Sequence, residues 1–186
     1  QYERIGNRAA WVLTVIDAYP EAGEEQLKQW IKDYGDLDVC AEIYLRLGKN
    51  TQLKPAERVS LLREGIRRYP NYTRINLLKE EEEDLTSPSL QISINAYPDE
   101  EVDVTVRYQV LKGFTLKFYR LDLPAHDEGL DVPSDKLKKQ GKLISQEHID
   151  LPPTPDFVEK KIPVKVKPLP AGLYYWEAEP DGFKKQ

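Results

Sequence analysis

The spacing of apolar residues changes once along this chain, and that change restricts the fold more than any other feature of the sequence. Up to about Leu85 apolar residues recur at helical spacing, whereas beyond Leu90 they alternate with polar ones. The period falls from about 3.6 to about 2 residues within residues 86–88. We therefore expect an α+β protein of two domains, a helical domain over residues 1–86 and a β-domain over residues 89–186.

The first part of the sequence predicts five helices joined by short connections, so that successive helices pack as antiparallel neighbours. The spacing of isoleucine, tyrosine and proline in residues 16–20 returns in residues 66–70. Such an echo is typical of helical-repeat arrays of the tetratricopeptide type, but with about two units the signal is weak, and a five-helix bundle with proline stops is the plainer interpretation. The residues that begin or end these helices are Pro20, Gly48, Pro55 and Pro70.

The second part predicts six or seven short strands separated by turn residues. Residues 90–94, 102–110 and 162–166 alternate between apolar and polar side chains. Pro163 marks the last of these as an edge strand, because proline has no N–H to donate, and the lysines around it discourage aggregation. The pattern indicates an antiparallel β-sandwich of immunoglobulin or fibronectin type.

Charge and cysteine content exclude several classes of protein. The net charge of −5 and the pI of about 5.2 do not suit nucleic-acid binding, which requires a basic surface. No apolar run approaches the roughly 18 residues that a membrane-spanning helix needs. Because Cys40 is the only cysteine, an internal disulfide and a cysteine-based zinc site are excluded.

Several segments carry a family resemblance. Residues 169–174 read Leu, Pro, Ala, Gly, Leu, Tyr before a predicted strand, a form that recurs where macroglobulin domains turn into a late strand. Taken with "KGFTLKFYRLDLP", "KLISQEHIDLPPTPDF", "PDG" and the helical "EGIRRYPNYTRINLLKEEEEDLTSPSL", the chain resembles the early region of the large alpha-2-macroglobulin-like proteins of Bacteroidetes-type bacteria. The resemblance covers residues 60–182 and predicts a macroglobulin or fibronectin-III-like sandwich after the helical domain.

In that family, many macroglobulin domains frame a bait segment whose cleavage triggers a collapse that traps the protease, and some members add a thioester. The resemblance implies a non-catalytic structural fragment of such an endopeptidase inhibitor, without the bait or thioester. Its partners would be the further macroglobulin domains of its own longer chain and, through the full-length protein, proteases. Family members are secreted or tethered by a lipidated cysteine, which implies a periplasmic or cell-surface location.

The residues that could carry chemistry each fit a structural role. In the run after Cys40, Ile43 stands where a thioester would need glutamine, so we expect a buried thiol. His126 and His148 lack the nucleophile of a catalytic triad. The acidic run Glu80–Asp84 spreads around a helix and predicts a solvated face. We therefore assign no catalytic, cofactor-binding or metal-binding residue and expect no enzyme activity.

Two further features allow a functional interpretation. Trp11, Trp30 and Trp176 could form a sugar-stacking platform, but each falls on an apolar-periodic position and is expected in a core. The loop Ala125–Gln140 offers lysines to trypsin-like proteases at 136, 138 and 139, yet an ordinary loop explains it better than a bait.

Two alternatives to the protease-trap fragment stay open. The first is a free-standing cell-surface module that binds a protein or a glycan, which requires exposed aromatic side chains in a shallow groove. The second is an enzyme, which requires a pocket where His148 or His126 converges with carboxylates, and the sequence spacing does not suggest one.

Overall fold

A computed structural model of the chain describes residues 2–122, 139 and 141–182, with no side chains described for residues 2–5. These residues form five α-helices followed by two antiparallel sheets of three strands each. The chain is therefore an α+β protein, as the change of period predicts. It divides into two compact units, Gln1–Ser87 and Pro88–Gln186.

The helical unit contains the five predicted helices. A short 3₁₀ turn at Asp38–Cys40 leads into the third of them. Pro55 is the first residue of the fourth helix, where a missing N–H costs nothing. The helices are α1 Tyr2–Ala18, α2 Glu24–Tyr34, α3 Ala41–Lys49, α4 Pro55–Arg68 and α5 Ile75–Thr86.

Helix α3 lies at the centre of the helical core. It buries six of its nine residues, among them Ile43, Tyr44 and Leu47. The prediction that Gly48 closes this helix is wrong, because α3 continues to Lys49. Gly48 is needed instead for close packing, since a Cβ there would lie 2.3 Å from a methyl carbon of Leu62 on α4.

Gly65 allows a second close approach inside the same core. A Cβ at Gly65 would lie 2.7 Å from the Cβ of Tyr44 and 2.8 Å from a methyl carbon of Leu78. Glycine therefore lets α4 contact α3 and α5 at once. The buried phenol of Tyr44 donates a hydrogen bond to Glu64 at 3.1 Å and accepts one from Arg68 at 3.1 Å, which satisfies its hydroxyl.

The β unit contains six strands among the described residues. The first sheet has the order β1, β2, β5 and the second the order β4, β3, β6, and every neighbouring pair is antiparallel. The strands are β1 Ser89–Asn95, β2 Val102–Gln109, β3 Gly113–Leu121, β4 Lys142–Asp150, β5 Lys160–Val166 and β6 Leu173–Pro180.

The two sheets contribute to one hydrophobic core. Alternate residues of β2, from Val102 to Tyr108, are buried, and so are Phe114, Leu116 and Phe118 of β3. The predicted edge strand is confirmed, because β5 pairs with β2 alone among the described strands.

Residues 152–154, which follow β4, are hydrogen-bonded to Tyr108 at the end of β2 and to Val110 just after it. The hydroxyl of Tyr108 donates to the carbonyl of Pro152 at 2.8 Å, and the side chain of Thr154 accepts from the N–H of Val110 at 2.8 Å. Thr154 is buried, and its bond stabilises Val110 in the left-handed region at φ 50°.

We expect Gly65→Ala to lower the free energy of unfolding of the helical unit by about 1–3 kcal/mol, because the added methyl overpacks Tyr44 and Leu78. The matched control is Gly6→Ala. Gly6 lies in α1 with nothing within 4 Å of its Cβ position, so alanine there should stabilise by about 0.5–1 kcal/mol. Urea unfolding followed by circular dichroism measures both, and equal effects would contradict the packing account.

Candidate functional site: an aromatic groove between the first two helices

An open groove of about 760 Å³ lies between α1 and α2. Two aromatic side chains in its wall are largely exposed, Trp11 at 53% and Tyr19 at 60%. Trp30 is nearly buried at 9%, and Tyr34 is half-buried. Among the described residues, the lining consists of Trp11, Val15, Ala18, Tyr19, Pro20, Glu21, Ala22, Gly23, Gln26, Trp30 and Tyr34.

Each exposed ring of the groove packs against a less exposed ring on α2. The rings of Trp11 and Tyr34 meet edge to face, with centroids 5.5 Å apart and planes at 72°. The rings of Tyr19 and Trp30 are 6.2 Å apart and tilted by 58°. Such tilted pairs are favourable beyond the area they bury, so these contacts hold the exposed rings in defined orientations.

The connection between α1 and α2 is held by Arg46 of the buried helix α3. Its guanidinium Nη1 donates to the carbonyls of Ile16 and Tyr19 at 3.1 and 3.0 Å. The N–H of Ala22 donates to the same Tyr19 carbonyl at 3.1 Å. Because α1 loses its own partners at these last carbonyls, Arg46 ties the α1–α2 connection, which lines part of the groove, to α3.

The charges around the groove are mixed, with an excess of acidic residues. Among the described lining residues, Glu21 alone is charged. Residues 9–27, which supply most of this lining, contain four acidic residues and no basic one, but Lys28 pairs with Glu24, Arg46 donates to the Tyr19 carbonyl and Arg8 lies over the Tyr34 ring. The arrangement suits an apolar or cationic ligand and disfavours an anionic one.

The prediction of core packing is confirmed for Trp30 and wrong for Trp11 and Trp176. Trp176 lies on β6 and is 39% exposed. Helical and strand periods assign a residue to a face, but they do not reveal whether another element covers that face. The sequence signal that could have located the groove is the set of aromatic residues on two adjacent helices, joined by a segment without basic residues.

Cys40 is fully buried, as predicted for a structural thiol. Its Sγ donates to the carbonyl of Tyr34 at 3.0 Å. Burial raises the pKa of this thiol to about 11, and the nearby Asp36 carboxylate acts in the same direction. Because the reactive form of cysteine is the thiolate, this environment suppresses its chemistry.

The acidic run Glu80–Asp84 differs in part from the solvated face that was predicted. Glu81 pairs with Arg58 at 3.1 Å and Glu82 pairs with Arg63 at 2.7 Å, both on the neighbouring α4, while the other three carboxylates are exposed. Within the described ranges, no three potential ligand residues converge into a metal site.

His148 does converge with carboxylates, contrary to what its sequence spacing suggested. Its Nε2 lies 3.0 Å from Asp181 Oδ2, and its Nδ1 lies 3.5 Å from Asp150 Oδ1. The antiparallel register places the ring beside Gly113, where a Cβ would come within 3.0 Å of the imidazole. Nε2 is hydrogen-bonded to Asp181 and so connects β4 to the turn after β6, whereas Nδ1 faces the largely exposed carboxylate of Asp150.

Two other sequence features lie outside the described residues. These are His126 and the loop Ala125–Gln140, of which only the exposed Lys139 is described. Every helix in the part of the chain that the structure describes is too short or too polar to span a bilayer.

We expect Cys40 to resist alkylation by iodoacetamide at pH 8 in the folded protein and to react fully in urea. Because its pKa is raised from 9.0 to about 11 in the folded state, the thiol stabilises the fold below pH 9 and loses that contribution as pH rises through about 11. The protein has one cysteine, so the mass increase reports this site alone. Labelling of the folded protein at the rate of free cysteine would contradict the burial.

Comparisons of the chain with protein-family models, curated proteins and solved structures give no significant match.

Proposed function

We propose that the chain is a non-catalytic structural segment of an alpha-2-macroglobulin-like protease inhibitor, consisting of a helical domain and a first macroglobulin-like β-sandwich. The observation that carries the proposal is the turn into β6. Within the quoted "LPAGLY" segment, the hydroxyl of Tyr174 donates to the carbonyl of Pro170 at 2.5 Å. A tyrosine near the start of a late strand that bonds back to the preceding backbone is a hallmark of immunoglobulin-like sandwiches.

The strand order supports the same sandwich type. In immunoglobulin-like domains, strands A, B and E share one sheet, and C and F share the other, which C′ can extend. The orders β1, β2, β5 and β4, β3, β6 agree with A, B, E and C′, C, F. The tyrosine turn then precedes the strand equivalent to F, which is its position in that fold.

A scaffolding role fits the distribution of side chains in both units. Tyr44 of the helical unit and Tyr108, Phe114 and Phe118 of the β unit are buried in their cores. Cys40 is buried and hydrogen-bonded, and His148 is held between carboxylates. A scaffold for a protease trap acts in the periplasm or at the cell surface, as part of a longer chain that supplies the bait.

The aromatic groove of the helical unit favours a second function, the binding of a partner by a free-standing module. This function requires exposed aromatic side chains in a shallow groove, and Trp11 and Tyr19 provide them. The two functions are compatible only if the groove is used inside the larger trap.

The first experiment is to measure the intact mass of the native gene product before and after incubation with a broad-specificity protease and with methylamine. A product far above 21.5 kDa that is cut at one locus and retains the protease is the expected result. The 186-residue chain is the control and should retain none. A native product near the mass of this chain that ignores the protease would overturn the proposal.

The β-sandwich assignment has its own test in Tyr174→Phe. Loss of the hydrogen bond to Pro170 should lower the free energy of unfolding of the β unit by about 1 kcal/mol. Tyr97→Phe is the matched control, because Tyr97 is 65% exposed. In every variant, both tryptophans of the helical unit are first replaced by phenylalanine, so that Trp176 alone reports on the β unit. Denaturant unfolding followed by its fluorescence then gives the unfolding midpoint of each variant. Indistinguishable midpoints would remove the tyrosine turn as support.

A further inference from the structure

We infer that the groove between α1 and α2 is a docking site for a short, extended, basic peptide segment, whose lysine or arginine side chains stack on the exposed aromatic rings. The inference is independent of the protease-trap proposal, because it rests on the helical unit alone.

The aromatic rings provide the first part of the argument. Trp11 and Tyr19 keep more than half of their surface exposed although their orientations are fixed by Tyr34 and Trp30. Cations are attracted to the faces of such rings. The chain already contains one example at the groove, because the guanidinium of Arg8 lies 6.0 Å from the ring centroid of Tyr34.

Charge complementarity provides the second part. Residues 9–27 contribute nine of the eleven described lining residues and contain four carboxylates. Lys28 pairs with Glu24, and Arg46 donates to the Tyr19 carbonyl, so the attraction comes from the remaining three carboxylates. A basic segment would therefore meet attraction from Glu21 in the wall and from Asp17 and Glu25 beside it. An acidic or phosphorylated ligand would meet repulsion from the same residues.

The helix ends agree with a cationic ligand. The C-terminal end of α1, which carries a partial negative charge, borders the groove at Ala18 and has no basic residue in its last turn. The guanidinium of Arg46 donates to two of the carbonyls at this end, those of Ile16 and Tyr19. The opposite partial charge at the start of α2 is offset by Glu25 and by Glu24, which also pairs with Lys28.

The size of the groove limits the length of the ligand. On α1 the lining extends from Trp11 to Ala18, which is about 10 Å at 1.5 Å per residue. About three residues of extended chain cover that distance. The ligand is therefore a tripeptide-sized stretch of a partner, with a basic side chain directed at Trp11 or Tyr19.

The test is a titration of the 186-residue chain with a fluorescein-labelled peptide Gly-Arg-Arg-Arg-Gly, followed by fluorescence anisotropy. We expect Trp11→Ala and Tyr19→Ala each to weaken binding about tenfold and Trp11→Phe to restore most of it, because phenylalanine retains a π-face. Glu21→Gln should weaken binding severalfold, and this loss should shrink at high salt.

Matched controls separate the groove from the general negative charge of the protein. Trp176→Ala removes an exposed tryptophan from the β unit, and Glu83→Gln removes an exposed carboxylate from α5. Neither should change the affinity, and circular dichroism melts confirm that each variant is folded.

Several outcomes would overturn the inference. Equal losses in the groove variants and in the controls would mean nonspecific attraction. Equal binding of the same peptide with citrulline in place of arginine, or of a neutral oligosaccharide, would exclude cation recognition. Sedimentation that shows a dimer dependent on Trp11 would identify a second copy of the chain as the occupant instead.

Discussion

The helical unit depends on one constraint, the near-complete burial of the short helix α3. A helix of nine residues is too short to be stable alone in water, so its neighbours must cover it on most sides. Gly48 and Gly65 permit that coverage, because any larger side chain at either position would separate the helices. Helices α4 and α5 both pack on α3, whereas α1 contacts mainly the 3₁₀ turn before it.

Arg46 links this core to the surface. It begins on α3 and ends at the last carbonyls of α1, so the buried helix determines where the α1–α2 connection lies. The aromatic rings above that connection are then ordered by their partners on α2. The connection that lines part of the groove is thus tied to α3 by Arg46.

Much of the fold could be predicted from the sequence, because its signals are local. The change of period separates helices from strands, the prolines stop helices, and Pro163 marks an edge strand. The role of Gly48 could not be predicted, because glycine is favoured both at the end of a helix and where two helices approach closely. The contact between His148 and Asp181 joins residues 33 positions apart, and only the strand register brings them together. The exposure of Trp11 could not be predicted either, because periodicity shows which face of a helix a residue lies on but not whether another element covers that face.

The way in which the helices share their contacts has a consequence for local unfolding. Helices α3, α4 and α5 all pack on one another, whereas α1 and α2 touch the rest of the unit over fewer residues. Segments with fewer buried contacts open more readily than the core to which they are attached. Backbone amides of α1 and α2 should therefore exchange with solvent through openings that leave the other three helices intact. A ligand seated between α1 and α2 would slow that exchange in these two helices alone.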